Sequence, residues 1–200
     1  MRIVARPTLT ERFPMRMRFR PKKVLINPTW EQTLECYPLM AFSHYLTGRV
    51  EVLHAFADEI VESLDKAFSR KCVHYCFLVR AESLMWLWTL GAYEVVRTMC
   101  QANRCFSQKS CDDLSVLKKV LSAIRMPAAK MEKAGRREPV TSNRSPMGLD
   151  VEKRDLLVND PEDPHDVSAR WILSEFDRVF SSITKEDVLA RHEESYTRGA

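Results

Sequence analysis

The segment from Lys71 to Gln101 constrains the fold of this chain more than any other. Read as a helix, it carries large apolar side chains on nearly every face, namely Cys76, Phe77, Leu78, Leu84, Trp86, Leu87, Trp88, Tyr93, Val95, Val96 and Met99. A helix that is apolar all round belongs in the centre of a bundle, where other helices cover it. Glu94 and Arg97 can pair at a spacing of three, and Gly91 would let a neighbouring helix approach closely. The segment therefore predicts a helical fold with this helix as its hub.

Apolar residues at helical spacing predict the surrounding helices. The clearest stripe lies between Arg49 and Phe68, where five side chains recur every three or four residues: Leu53, Phe56, Ile60, Leu64 and Phe68. Further stripes predict helices over about 27–39, 112–125 and 166–183, and a capping-box pattern predicts a last short helix over 184–196. Only five glycines occur in 200 residues, which disfavours a turn-rich β fold. We therefore expect an all-α fold, a helical bundle of five to six helices.

Polar residues and prolines predict where these helices begin and end. Asn27 before Pro28 is typical of an N-cap, and Ser110 or Asp112 could cap the helix over 112–125. Thr184 and Asp187 have the spacing of a capping box. Pro38 and Pro127 are expected to end the helices that precede them.

Charge and proline content predict the domain organisation. Residues 1–23 hold eight Lys or Arg and one Glu, whereas residues 24–200 hold 23 basic and 26 acidic side chains. Five of the ten prolines lie between residues 126 and 166. We expect a basic N-terminal arm over 1–23 and a single helical domain over 24–200. A long, flexible, proline-containing loop over 126–166 is expected to interrupt that domain.

Several classes of protein are disfavoured. The longest apolar run before residue 38 is Val24-Leu25-Ile26, too short for a secretory signal. Charges interrupt the Lys71–Gln101 segment, so no membrane span is expected. The six cysteines lack zinc-site spacing, and no glycine-rich phosphate loop occurs. We expect a cytoplasmic protein with free thiols, no metal and no small-molecule cofactor.

An acidic face is expected on the helix between Arg49 and Phe68, opposite its apolar stripe. It collects Glu51, Asp58, Glu62 and Asp65, with His54 at its margin. Glu51-x-x-His54 has the spacing found in ferritin-like di-iron bundles, but such a site must project inward. A second Glu-x-x-His, at Glu162 and His165, lies between prolines that preclude a regular helix. A solvated acidic face is the expectation.

The hexapeptide Arg49-Val-Glu-Val-Leu-His54 places a histidine five residues after an arginine. This Arg-x4-His spacing resembles the active-site motif of HEPN-type helical bundles, whose active members are metal-independent ribonucleases. The resemblance implies that Arg49 would stabilise charge on the scissile phosphate and that His54 would move the proton of the ribose 2′-hydroxyl. The alternative is that both residues are ordinary surface side chains.

The N-terminal arm is a candidate site for nucleic-acid binding. Six basic residues, Arg12, Arg16, Arg18, Arg20, Lys22 and Lys23, are interleaved with Phe13, Met15, Met17 and Phe19. Basic side chains can contact phosphates and an aromatic ring can stack on a base, but a solvated arm fits the same pattern. The favoured function is a non-enzymatic interaction or regulatory module that binds a protein partner or itself. RNA or DNA contact through the arm is left open beside the solvated arm that the composition favours. The alternative is a HEPN-like endoribonuclease using Arg49 and His54.

Overall fold

A computed structural model describes residues 26–69, 72–132, 138–139, 147–158 and 166–193. This part of the chain is mostly helical, with one small antiparallel sheet. Five α-helices are described: α1 (Trp30–Cys36), α2 (His44–Ala67), α3 (Tyr75–Gln101), α4 (Gln108–Lys130) and α5 (Ala169–Ser181). Three strands lie between α4 and α5: β1 (Met147–Asp150), β2 (Asp155–Val158) and β3 (Val167–Ser168). Short 3-10 helices cover Pro38–Ala41, Asn103–Cys105 and Lys185–Asp187.

Helix α3 is the hub that its composition predicts, and it runs between α2 and α4. Trp88 is fully buried, and its indole N–H donates to the carbonyl oxygen of Leu53 on α2 at 3.1 Å. A Cβ at Gly91 would lie 3.1 Å from Cδ2 of Leu53, so the two helices do approach closely there. Arg80 pairs with Glu59, which lies later in α2 than Leu53, whereas Arg80 lies earlier in α3 than Trp88, so α2 and α3 run antiparallel.

Side-chain hydroxyls cap four of the five described α-helices, and the caps of α2 and α4 lie earlier than the sequence predicts. Ser43 caps α2 and Ser107 caps α4, each accepting a hydrogen bond from a first-turn backbone N–H. Thr29 caps α1 through a capping box, whereas Asn27 adopts a left-handed φ of 54° and cannot be the N-cap. The predicted start of α4 was late because its first residues, Gln108 and Lys109, are exposed and polar and add nothing to an apolar stripe. The predicted start of α2 was also late, although Leu46 and Val50 are buried and continue its stripe towards Ser43.

Helix α4 continues through Pro127 to Lys130, so the prediction that Pro127 ends it was wrong. Proline removes one backbone donor and crowds the preceding turn. Here the ring is buried, which offsets part of that cost. The helix ends at Met131, which takes a left-handed φ of 54° and whose N–H donates to the carbonyl of Pro127 at 3.1 Å.

The small sheet is the main difference between the structure and the prediction, which was an all-α fold with a flexible loop over 126–166. β1 pairs with β2 and β2 with β3, all antiparallel, in the order β1-β2-β3. Leu156 and Val158 of β2 are buried in the common core. The turn between β1 and β2 is stabilised by Asp150, whose carboxylate accepts from the backbone N–H of Lys153 at 2.8 Å. The hairpin is part of the folded domain.

The capping box at Thr184 and Asp187 is confirmed, but the element it starts is short. The backbone N–H of Thr184 donates to the Asp187 carboxylate at 3.0 Å. The predicted helix to about residue 196 is wrong: the chain leaves the 3-10 helix after Asp187 and forms an antiparallel bridge between Phe106 and Val188. Ser107 donates to Asp187 at 2.5 Å and joins this segment to the start of α4.

Two groups of predicted residues lie outside the described residues. They are the N-terminal arm over 1–23 and the Glu162/His165 pair. In the described part of the chain, no helix combines the length and apolar character needed to cross a membrane.

Candidate functional site

Arg49 lies on the surface near the start of α2. Its guanidinium group sits over the ring of Tyr45, 4.8 Å from the centroid, and also donates a hydrogen bond to the Tyr45 hydroxyl. Both side chains are exposed. Stacking on a neighbouring tyrosine is a conventional way to hold an exposed arginine.

His54 packs between α2 and α5, away from bulk solvent. Only 15% of its side chain is exposed. Its ring meets those of Phe176 and Phe180 edge-on, at centroid distances of 5.6 and 6.5 Å. Its Nε2 atom lies 3.9 Å from Oδ1 of Asp177, a carboxylate that also accepts from Ser181. His54 is therefore an interface residue between two helices, and is more buried than a solvated acidic face would place it.

Arg49 and His54 leave α2 on different sides. Five residues of helix correspond to a rotation of about 140° between them and a rise of about 7.5 Å along the axis. Arg49 contacts Tyr45 within its own helix, whereas His54 contacts α5. A phosphodiester bound to both would have to pass around the helix surface.

Two members of the predicted acidic face of α2 are engaged in ordinary ion pairs. Glu62 pairs with Lys66 at 2.6 Å, and Asp65 pairs with Arg170 at 2.7 Å. Hydrogen bonding from Lys66 lowers the pKa of Glu62 below its usual value. Over the described ranges, no three His, Cys, Asp or Glu residues are grouped as a metal site would need.

A buried carboxylate joins the hairpin to α5. Asp155 is almost fully buried, and its carboxylate accepts hydrogen bonds from the Ser168 hydroxyl and, at 2.8 Å, from the Leu156 backbone N–H. Arg170 Nε lies 3.9 Å away. Burial raises the pKa of Asp155, and the hydrogen bond from Ser168 opposes that rise. Since Ser168 also caps α5, the cluster's role is to hold the hairpin against the helix.

The outer side of α3 carries an exposed apolar surface, which we call the α3 strip: Tyr75, Val79, Ser83, Trp86 and Leu87. The exposed fractions are 76% for Tyr75, 37% for Val79, 43% for Trp86 and 46% for Leu87, and Ser83 is also exposed. At 100° per residue the five positions fall within an arc of about 120°. They form one continuous surface on the hub helix.

The polar groups in the middle of the α3 strip already have partners. The Ser83 hydroxyl donates to the carbonyl oxygen of Val79 at 2.8 Å, and the Trp86 indole N–H donates to the carbonyl of Ala128 on α4 at 3.2 Å. Covering these side chains would therefore leave no donor unsatisfied, and an unsatisfied buried donor is the main cost of burying polar groups. The middle of the strip therefore behaves as an apolar surface, although it contains a serine and a tryptophan N–H.

Charged residues lie at the edges of the strip. Arg80 pairs with Glu59 of α2. Glu82 is half-buried beside Trp86, and this burial raises the pKa of its carboxyl group. The centre of the strip is therefore uncharged, and its borders are polar.

Sequence reasoning missed the strip because it treated the whole segment as covered. Met85, Trp88 and Val96, on the opposite side of α3, are fully buried as expected. Trp86 and Leu87 have the same residue types as their buried neighbours, so composition cannot distinguish the two sides. A family resemblance could not help either: no known protein family, characterised protein or solved structure matches the chain.

Proposed function

We propose that this chain is a non-enzymatic interaction module that binds a protein partner through the α3 strip. The observation that carries the proposal is the strip itself, a contiguous set of large apolar side chains exposed on a central helix. Single exposed apolar residues are normal on protein surfaces, but contiguous patches with polar rims are typical of interaction sites.

The size of the strip supports a modest interface. From their exposed fractions and the ~150–250 Å² that an aromatic side chain can bury, its residues offer roughly 400 Å². Standard stable interfaces bury about 800 Å² on each partner, and weaker, transient contacts bury less. We therefore expect a reversible complex.

The strip lies on a rigid base. The side of α3 behind it is anchored by fully buried Met85, Trp88 and Val96, and α2 and α4 hold the helix on both flanks. A surface that does not have to order itself on binding loses less conformational entropy in the complex. This preorganisation favours recognition by shape and apolar contact.

Site-specific photo-crosslinking in cells tests the proposal. A photoreactive phenylalanine analogue replaces Leu87 in one variant and Val116 in a control. Val116 is a 61% exposed apolar residue on α4. We expect a discrete adduct from position 87 that Val79→Lys abolishes. Equal background at both positions would refute the proposal.

The HEPN-like ribonuclease using Arg49 and His54 is the second candidate. Asp177 favours it, because its carboxylate lies 3.9 Å from Nε2 of His54 and an approach to hydrogen-bond distance would let it orient the imidazole for proton transfer. The test is incubation of the purified chain with labelled RNA in EDTA, beside Arg49→Ala and His54→Ala. Cleavage that both variants lose would support the nuclease, and equal background in all three proteins would remove it.

A further inference from the structure

We propose that three basic side chains between α3 and α4 bind carboxylate groups in an acidic peptide segment of a partner protein. They are Arg97 on α3 and Lys118 and Arg125 on α4, and we call them the basic cluster. This site goes beyond the proposed function, because it is charged, lies outside the α3 strip and needs no apolar contact. The observation behind it is that the cluster already holds one carboxylate, that of Glu94.

The carboxylate of Glu94 shows which chemical group fits the cluster. One of its oxygens accepts from Nε and Nη2 of Arg97 at 2.8 and 2.7 Å, and the other lies 3.3 Å from Nη2 of Arg125. Two guanidinium groups from different helices therefore converge on one planar carboxylate. Guanidinium N–H groups match carboxylate oxygens in both geometry and charge, so the pairs that they form are directional.

The cluster keeps a positive charge that Glu94 does not balance. Lys118 lies two turns before Arg125 on the same side of α4, and within the described residues no carboxylate pairs with it. Cys100 follows Arg97 by one turn at the end of α3. Burial raises the pKa of the Cys100 thiol and the charge of Lys118 opposes that rise, which places Lys118 beside this end of α3. Three cations therefore lie around one anion.

The arginines are held in place but can still be reached from solvent. The guanidinium group of Arg125 lies 4.6 Å from the centroid of the Tyr93 ring, and it donates to Sδ of Met126 at 3.5 Å. The side chains of Glu94 and Arg97 are 45% and 43% exposed. A second carboxylate can therefore approach the cluster from solvent. Cations that are already ordered lose less conformational entropy when they bind it.

The charge of the chain differs between its helices in a way that favours an acidic partner at this site. Residues 72–132, which contain α3 and α4, hold eight Lys or Arg and five Asp or Glu. Residues 26–69, which contain α1 and α2, hold two Lys or Arg and seven Asp or Glu. An acidic segment is therefore attracted to the side of α3 and α4 and repelled from α2. A long nucleic acid would meet both regions, so a short acidic segment of a protein fits this pattern better.

Nuclear magnetic resonance of the full chain, labelled with nitrogen-15, tests the proposal. The Arg97 Nε–H signal reports on the cluster itself and not on basic residues elsewhere in the chain. The probe is a peptide of six glutamates, and a peptide of six glutamines is its uncharged control. We expect the glutamate peptide to shift the signal with a dissociation constant on the order of 1 mM at low salt. The binding should weaken strongly at about 0.3 M salt, because exposed charges are then screened.

Two variants with opposite expected effects make the test specific. Lys118→Gln removes a cation and should weaken binding about two- to fivefold, the scale of one exposed ion pair. Lys119→Gln is its matched control and should change little, because Lys119 points about 100° away around α4. Glu94→Gln removes the competing charge but keeps an oxygen that accepts from Arg97, and it should strengthen binding about two- to fivefold. Glu62→Gln removes the same charge from α2 and should have a smaller effect.

Several results would overturn the proposal. One is an Arg97 signal that does not shift at about 10 mM glutamate peptide, or that shifts equally with the glutamine peptide. Equal affinities of Lys118→Gln and Lys119→Gln would also overturn it, as would a Glu94→Gln variant that binds no more tightly than Glu62→Gln. If a uridine hexanucleotide shifts the signal at lower concentration than the glutamate peptide, the class of partner is wrong. The photo-crosslinking test at Leu87 is independent of these results, because the cluster is not part of the α3 strip.

Discussion

Replacing two glycines with alanine, one at a helix contact and one on an open surface, measures how closely α2 and α3 pack. Gly48 in α2 is exposed, and a Cβ there would meet nothing within 4 Å. Gly91 in α3 faces α2, and a Cβ there would lie 3.1 Å from Leu53 Cδ2. The two substitutions therefore change helix propensity equally, but they differ in the room available for the added methyl group.

The expected free energies have opposite signs. Alanine is favoured over glycine inside a helix by about 0.8–1 kcal/mol, so Gly48→Ala should stabilise the protein by roughly that amount. Gly91→Ala has the same gain, but Leu53 must move by a few tenths of an ångström within a buried core. Overpacking costs about 1–3 kcal/mol. We expect Gly91→Ala to destabilise the protein by roughly 0–2 kcal/mol.

Urea denaturation followed by circular dichroism would measure both effects as shifts in the unfolding midpoint. A third variant, Leu53→Val, shortens the side chain that Gly91→Ala would press upon. Combined with Gly91→Ala it should cost less than the sum of the two single changes, because the clash is relieved. If Gly91→Ala stabilises as much as Gly48→Ala, the close approach of α2 and α3 is refuted.

Three further predictions concern charge. Asp155→Ala should lower the free energy of unfolding by about 1–3 kcal/mol, since it removes hydrogen bonds from Ser168 and Leu156 to a buried carboxylate; an unchanged urea midpoint would show that the cluster does not hold the hairpin. Burial raises the pKa of Glu82, so the folded chain binds the proton of this carboxyl group more tightly than the unfolded chain does. The folded chain therefore loses stability as the pH rises through the raised pKa. Glu82→Gln should therefore raise the thermal midpoint at pH 7 and change it little below about pH 4; equal shifts at both pH values would contradict the burial effect. Deleting residues 1–23 should weaken any RNA or DNA binding and flatten its salt dependence in filter-binding assays, and identical salt slopes would remove the arm from that role.

Much of the helical framework could be predicted because each part of it is a local pattern. The stripe on α2 was correct: Leu53, Ile60, Leu64 and Phe68 are buried, and Phe56 packs partly against them. Periodicity of this kind depends only on the geometry of one helix. The predicted ends of the helices were less accurate, because a capping residue is only one polar side chain among many in the sequence.

The sheet could not be predicted from pattern. Leu156, Leu157 and Val158 are a short apolar run between polar residues, and such a run does not distinguish a strand from a loop. It becomes a strand because β1 and β3 pair with it and because the core receives Leu156 and Val158. These partners come from other positions in the chain, and only the tertiary fold brings them together.

The candidate sites show the same difference between what a local pattern determines and what the tertiary fold determines. The sequence singles out Arg49 and His54 as candidates by their spacing, but the neighbours of His54 on α5 depend on how the helices pack. For α3, the sequence determined that nearly every face is apolar. Which face stays exposed was decided by the fold, because the packing of α2 and α4 leaves the strip at Trp86 and Leu87 exposed. Burial is a property of neighbouring elements, so it is decided only when the whole chain is folded.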